Sequence, residues 1–121
     1  MSKNILIVED DLNLQRIYSE KLGNKGFIVF LALDSQQALT ILKNTKISLI
    51  LLDIMLPGKM NGLEFLKHIK SLNYIKNIPI LVFTNLDTEK EEAKKLGAID
   101  CLIKSNTDLE EIVEKVNKYS L

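Results

Sequence analysis

The feature that most constrains this chain is a repeated change of period. Five short apolar runs alternate with amphipathic stretches from one end of the sequence to the other. The runs occupy residues 5–8, 27–31, 48–52, 79–83 and 99–103. Each is short, rich in β-branched residues and flanked by Gly, Pro or polar residues, which favours strands over pieces of helix. Several are apolar at consecutive positions and do not alternate, so both faces of the sheet are expected to be covered, as in a parallel sheet.

The stretches between them read as helices. Leu14, Ile17, Tyr18 and Leu22 share one helical face, with Gly23 or Gly26 as the stop. Ala38, Leu39, Ile41 and Leu42 form a second face, capped by Asp34 or Ser35. Asn61-Gly-Leu-Glu64 opens a third helix carrying Phe65, Leu66, Ile69 and Leu72. Thr88-Glu-Lys-Glu91 and Thr107-Asp-Leu-Glu110 have the capping-box pattern and open a fourth and a fifth. The fifth carries Leu109, Ile112, Val113 and Val116 on one face, and the fourth is short, highly charged and ends at Gly97.

The expected architecture is therefore α/β: a (βα)5 doubly wound, five-stranded parallel sheet with right-handed crossovers, residues 1–121 forming one domain. Sixteen basic and sixteen acidic residues cancel, which removes any global field for nucleic acid or an anionic membrane. No apolar run approaches the roughly 20 residues that cross a bilayer, and the opening Met-Ser-Lys-Asn is not a signal peptide. A single cysteine offers no internal disulfide, and no Cys/His cluster offers a zinc site. A cytoplasmic location is expected.

Open sheets of this kind bind ligands beyond the carboxyl ends of their strands. The first strand ends there in Glu9-Asp10-Asp11, the third in Asp53, the fourth in Thr84 and the fifth in Lys104. If the first, third, fourth and fifth strands are central, these groups converge. Glu9, Asp10 and Asp53 packed together repel unless a cation neutralises them. Hard oxygen ligands in a partly open cluster suit Mg2+. One carboxylate is then available as a nucleophile toward phosphorus, and Asp53, a single acid at the centre, is the candidate. Lys104 and the Thr84 hydroxyl would stabilise the equatorial phosphoryl oxygens. Asp11 reads as a helix cap, not a ligand.

With these residues in place, the sequence resembles the response-regulator receiver domains of two-component phosphorelays, the chemotaxis-regulator-like family. The resemblance covers essentially the whole chain and rests on ILIVEDD, LILLDIMLPGKMNGLEFL, PILVFTN and GAIDCLIKS, in that order. It implies the flavodoxin-like receiver fold. It also implies that Asp53 is the phosphoacceptor, taking a phosphoryl group from a histidine kinase or phosphotransfer protein. Asp10, Asp53 and the backbone carbonyl of Met55 would bind Mg2+, with Glu9 reaching it through water. Thr84 and Lys104 would contact the phosphoryl group and report it to the face made by the fourth helix, fifth strand and fifth helix. A downstream protein would read that face, with the protein a monomer or a phosphorylation-dependent dimer. Such a protein modifies itself and is a switch, not a turnover enzyme.

Several positions depart from the family pattern. Cys101 stands three residues before the Lys, where receivers carry Tyr or Phe. Ser105 replaces the usual Pro, Asn85 replaces a smaller residue after the Thr, and Lys59 looks like an insertion in the Pro-Gly turn. The stretch from Thr84 to Lys104 is also about two residues short, at the expense of the fourth helix. The acid pocket is intact while the output positions differ, so ordinary phosphorylation with non-standard transmission is expected. Met55 and Leu86, both apolar, would flank the path of attacking water and give slow self-dephosphorylation. Cys101 also reads as a small buried core residue, and His68 and the Lys/Glu-rich 89–95 as solvated positions.

Two other classes of function compete. One is a pseudo-receiver, a binding module that is not phosphorylated. The other is an enzyme on the same architecture, such as a flavin carrier or a phosphohydrolase. A flavin phosphate needs a Gly- or Ser-rich loop after the first strand, where this chain has three acids. The ending at Leu121 fits either a stand-alone receiver or a domain excised from a longer regulator.

Overall fold

Residues that are apolar at consecutive positions must be covered on both sides, and this requirement sets the layers. In a computed structural model describing residues 3–85 and 87–121, strands and helices alternate. They are β1 (Asn4–Val8), α1 (Leu12–Asn24), β2 (Ile28–Ala32), α2 (Ser35–Asn44), β3 (Leu49–Leu52), α3 (Gly62–Lys70), β4 (Ile80–Thr84), α4 (Lys90–Lys95), β5 (Asp100–Ile103) and α5 (Leu109–Tyr119). All strand pairs are parallel, in the order β2-β1-β3-β4-β5. The expected doubly wound receiver-type sheet is the observed one.

Alternation along each strand sends its side chains into two separate cores. Leu6, Val8, Ile50, Leu52, Ile80, Val82 and Cys101 pack with α2, α3 and α4. Ile5, Ile7, Leu49, Leu51, Leu81, Phe83 and Leu102 pack with α1 and α5. Residues 5–8 and 49–52 are all buried, and each such Leu or Ile contributes about 1.5–3 kcal/mol through removal from water.

Four local expectations need correction. β5 is an edge strand, not a central one, so Lys104 must reach inward from the margin. The capping box at Thr88 does not form: the chain passes through a 3-10 turn, Asp87–Glu89, and α4 starts after Glu89, which makes no side-chain cap bond. At α5 the cap is Asp108, which accepts from the Glu111 N–H, while the Thr107 hydroxyl donates to the Ile103 carbonyl. Ile17, Ile99 and Leu109, expected to face inward, are exposed. Asp11, Asp34 and the Asn61–Glu64 capping box do start α1, α2 and α3.

Candidate functional site

The loops after β1 and β3 owe their positions to backbone bonds. The Glu9 N–H donates to the Ala32 carbonyl at 3.0 Å, and the Asp53 N–H to the Val8 carbonyl at 3.1 Å. These bonds continue the ladder one residue beyond each strand, so Glu9 and Asp53 leave the sheet side by side. By alternation both point to the α1–α5 face, with Ile7 and Leu51 below them.

Gln15 secures the first loop from α1. Its buried side-chain amide donates to the Glu9 carbonyl at 2.9 Å and to the Ala32 carbonyl at 3.0 Å. The sequence reading passed over this residue. The available signal was a polar residue three positions before Tyr18 and seven before Leu22, on the buried face of α1.

The second loop is clamped by α3. A Cβ on Gly62 would lie 2.5 Å from the Asp53 carbonyl oxygen, so only glycine allows α3 to begin this close to the strand end. The Gly62 N–H donates to the Ile54 carbonyl at 2.7 Å. Asp53 Oδ1 accepts the Met55 N–H at 3.1 Å, while the Met55 side chain is 58% exposed.

Lys104 arrives from the edge. β5 lies two strand spacings from β3, roughly 10 Å, and the long Lys side chain crosses β4 to meet carboxylates coming the other way. Its Nζ is 2.9 Å from Asp53 Oδ2 and 2.5 Å from Glu9 Oε1. The ammonium also lies 5.6 Å from the centroid of the Phe83 ring.

Burial and charge compete here. Burial pushes Glu9 up to about 7, against the Lys104 and Asp11 hydrogen bonds that lower it, with the Asp53 charge adding to the rise. Burial disfavours the Lys104 ammonium, but hydrogen bonds to Glu9 and Asp53 outweigh it and hold that pKa above its ordinary value.

Carboxylate oxygens of Glu9, Asp10 and Asp53 lie within 4.8 Å of one another, with Asp10 exposed and the other two buried. A set of hard oxygens, open on one side, fits a magnesium ion that keeps part of its water shell. Thr84 is fully buried at the end of β4, in register with Ile103 just before Lys104. Alternation turns it to the opposite face from Phe83. Asn85 is exposed, and Cys101 is buried beside Val82 on the α4 side. Leu86 lies outside the described residues.

A groove of about 450 Å3 lies elsewhere, lined by Leu42, Ile47, Tyr74, Ile75, Ile78 and Leu121 among others and by none of the site residues. Among the described residues no helix is long and apolar enough to cross a membrane.

The comparisons with known proteins agree with one another. The family described as response regulator receiver domain matches residues 5–117. Sporulation initiation phosphotransferase F of Bacillus subtilis is 35% identical over 122 residues, covering 98% of this chain and 94% of that protein. The transcriptional regulatory protein CpxR homolog of Haemophilus influenzae is 40% identical over 112 residues, covering 91% of this chain and 47% of that protein. The chain thus spans nearly all of the first relative and about half of the second. The receiver domain of the Francisella response regulator 1452 superposes with a TM-score of 0.90 at 26% identity, covering 98% and 96% of the two chains. The chemotaxis response regulator CheY4 of Vibrio cholerae gives 0.89 at 26% identity, covering 98% and 99%.

Proposed function

The chain belongs to the response regulator receiver family, and we propose that it is a two-component switch phosphorylated on Asp53 in a magnesium-dependent reaction. The donor is a histidine kinase or a phosphotransfer protein. One observation carries this reading: the Glu9, Asp10 and Asp53 oxygens cluster at one point, with the Lys104 ammonium on two of those groups.

On this reading Asp10, Asp53 and the Met55 backbone carbonyl would hold magnesium, and Glu9 would reach it through water. The ion, when bound, neutralises the carboxylates and draws charge from the phosphoryl oxygens. An Asp53 carboxylate oxygen attacks the phosphorus of the donor phosphohistidine. A P–O bond forms as the P–N bond breaks, and the departing imidazole keeps the electron pair and takes up a proton. The Met55 N–H and the Lys104 ammonium, each on a different Asp53 oxygen, hold the carboxylate in a fixed plane for that attack. Lys104 then follows the negative charge onto the phosphoryl group, and the Thr84 hydroxyl donates to another of its oxygens.

Residues 1–121 act in this scheme as one receiver that modifies itself and does not turn over a substrate, in the cytoplasm. The exposed Met55 side chain cannot orient a hydrolytic water, which favours a long-lived acyl phosphate. A downstream protein reads the face formed by α4, β5 and α5, where Cys101 and Asn85 make the transmission non-standard.

Stoichiometric labelling by acetyl phosphate with magnesium is the expected result, abolished by Asp53→Asn. Absence of labelling in the unmodified protein would leave a binding module in place of a switch.

A further inference from the structure

We propose that Phe83, braced by Tyr18, is a positioning residue for phosphotransfer: its ring is the platform that holds the Lys104 ammonium toward Glu9 and Asp53. The inference rests on the reading of Asp53 as phosphoacceptor.

The topology creates the need. Lys104 follows an edge strand, whereas its two partners stand at the ends of β3 and β1, two and three strand positions inward. A four-carbon stem is flexible, and two carboxylates fix only its tip. The strand crossed on the way is β4, and on the α1–α5 face its last side chain is Phe83. The ammonium lies 5.6 Å from that ring's centroid, within the range where the ring's quadrupole attracts a cation. The Lys104 side chain is only 11% exposed, so water screens this attraction little.

The ring is itself held. Tyr18 on α1 meets Phe83 with centroids 5.1 Å apart and planes at 79°, the edge-to-face arrangement that aromatic pairs prefer. Both rings line a small crevice with Glu9 and Asp53, floored by Ile7 and Leu51. An aliphatic residue at position 83 would fill this space without attracting a cation.

The chemistry gives the platform its use. Asp53 and Glu9 change charge or ligand as the phosphoryl group and metal arrive, and Lys104 must move its hydrogen bonds among them. Phe83 does not change charge. It keeps the ammonium on the α1–α5 face through both states.

Phe83→Met, which conserves apolar bulk, is expected to slow acetyl-phosphate labelling at saturating magnesium by roughly fivefold. It is also expected to raise the mobility of the Lys104 side chain in the unphosphorylated protein, read by 13Cε relaxation, which loss of the ring current does not itself change. Phe83→Tyr should restore both. The idea is overturned if the Met variant labels at the unmodified rate and its Lys104 13Cε relaxation is unchanged. If Phe83→Met does not fold, Tyr18→Leu, which leaves the ring unbraced, is read by the same two measurements and the same criteria. An unmodified protein that takes no phosphoryl group refutes the phosphoacceptor reading alone, and the relaxation of Lys104 then decides the platform.

Discussion

The two ends of this sheet are held very differently. Around β1 and β3, strand residues are buried on both faces, and the loops that follow are tied by backbone bonds and by Gln15. α3 starts with a complete capping box. At the other end, α4 is six residues long, has no side-chain cap and buries only Ala93. β5 pairs on one side only, and Ile99 before it is 46% exposed. The half that gathers the acids is over-determined, whereas the half around α4 and β5, where Asn85, Cys101 and Ser105 depart from the family pattern, is lightly tethered. A segment with few buried contacts reorganises at low cost.

The sharpest way to break this contrast is a pair of glycine substitutions. Gly62→Ala drives a methyl group into backbone on the Asp53 side, 2.5 Å from a carbonyl oxygen. It should cost about 3 kcal/mol or more and disturb labelling as well. Gly97 has φ +108° and faces only the flexible Lys70 side chain, so Gly97→Ala should cost about 1–2 kcal/mol and leave labelling intact. Urea denaturation of both variants measures the difference, and equal costs would erase the distinction between the two ends.

Next in size is the effect of acidity on the cluster of Glu9, Asp10 and Asp53. Glu9 ionises at about 7 in the folded protein against an ordinary value of 4.5. The folded state therefore binds this proton more tightly than the unfolded chain, and stability falls as pH rises from about 4.5 to 7 in the absence of metal. A magnesium ion held by this cluster would compete with the same proton. Its apparent affinity should rise about tenfold between pH 6 and pH 8, and Glu9→Gln should flatten the dependence. A titration midpoint that ignores pH in the unmodified protein would contradict this.

The smallest effect belongs to the margin. The Tyr119 hydroxyl donates to Asp100 Oδ2 at 2.9 Å, beside Lys115, fastening the end of α5 to the start of β5. Tyr119→Phe should lower stability by about 0.5–1.5 kcal/mol without altering the phosphoryl chemistry. Thermal melts and labelling rates together test this.

The sequence made the sheet legible because two-sided burial writes consecutive apolar residues into β1, β3 and β4. The acidic cluster was legible for a related reason: β1, β3 and β5 are followed by Glu9, Asp53 and Lys104, and these strand ends meet. Where the text misled, another interaction won locally. Thr88 lost its cap to a 3-10 turn, and Asp108 displaced Thr107 because its carboxylate reaches the Glu111 N–H. β2, lying at the other margin, leaves Ile28 and Leu31 exposed, so apolar content alone did not reveal its place. Gln15 and Phe83 read as ordinary helix and core residues. Their importance depends on what lies across the sheet, and periodicity does not record that.

Phe83 and Thr84 are neighbours in β4 that look out on opposite sides of the sheet. On the proposed reading, a shift of the Phe83 ring would turn the Thr84 side chain as well, because one peptide plane joins them. The end of β4 would then link the Lys104 side of the sheet to the side on which α4 lies.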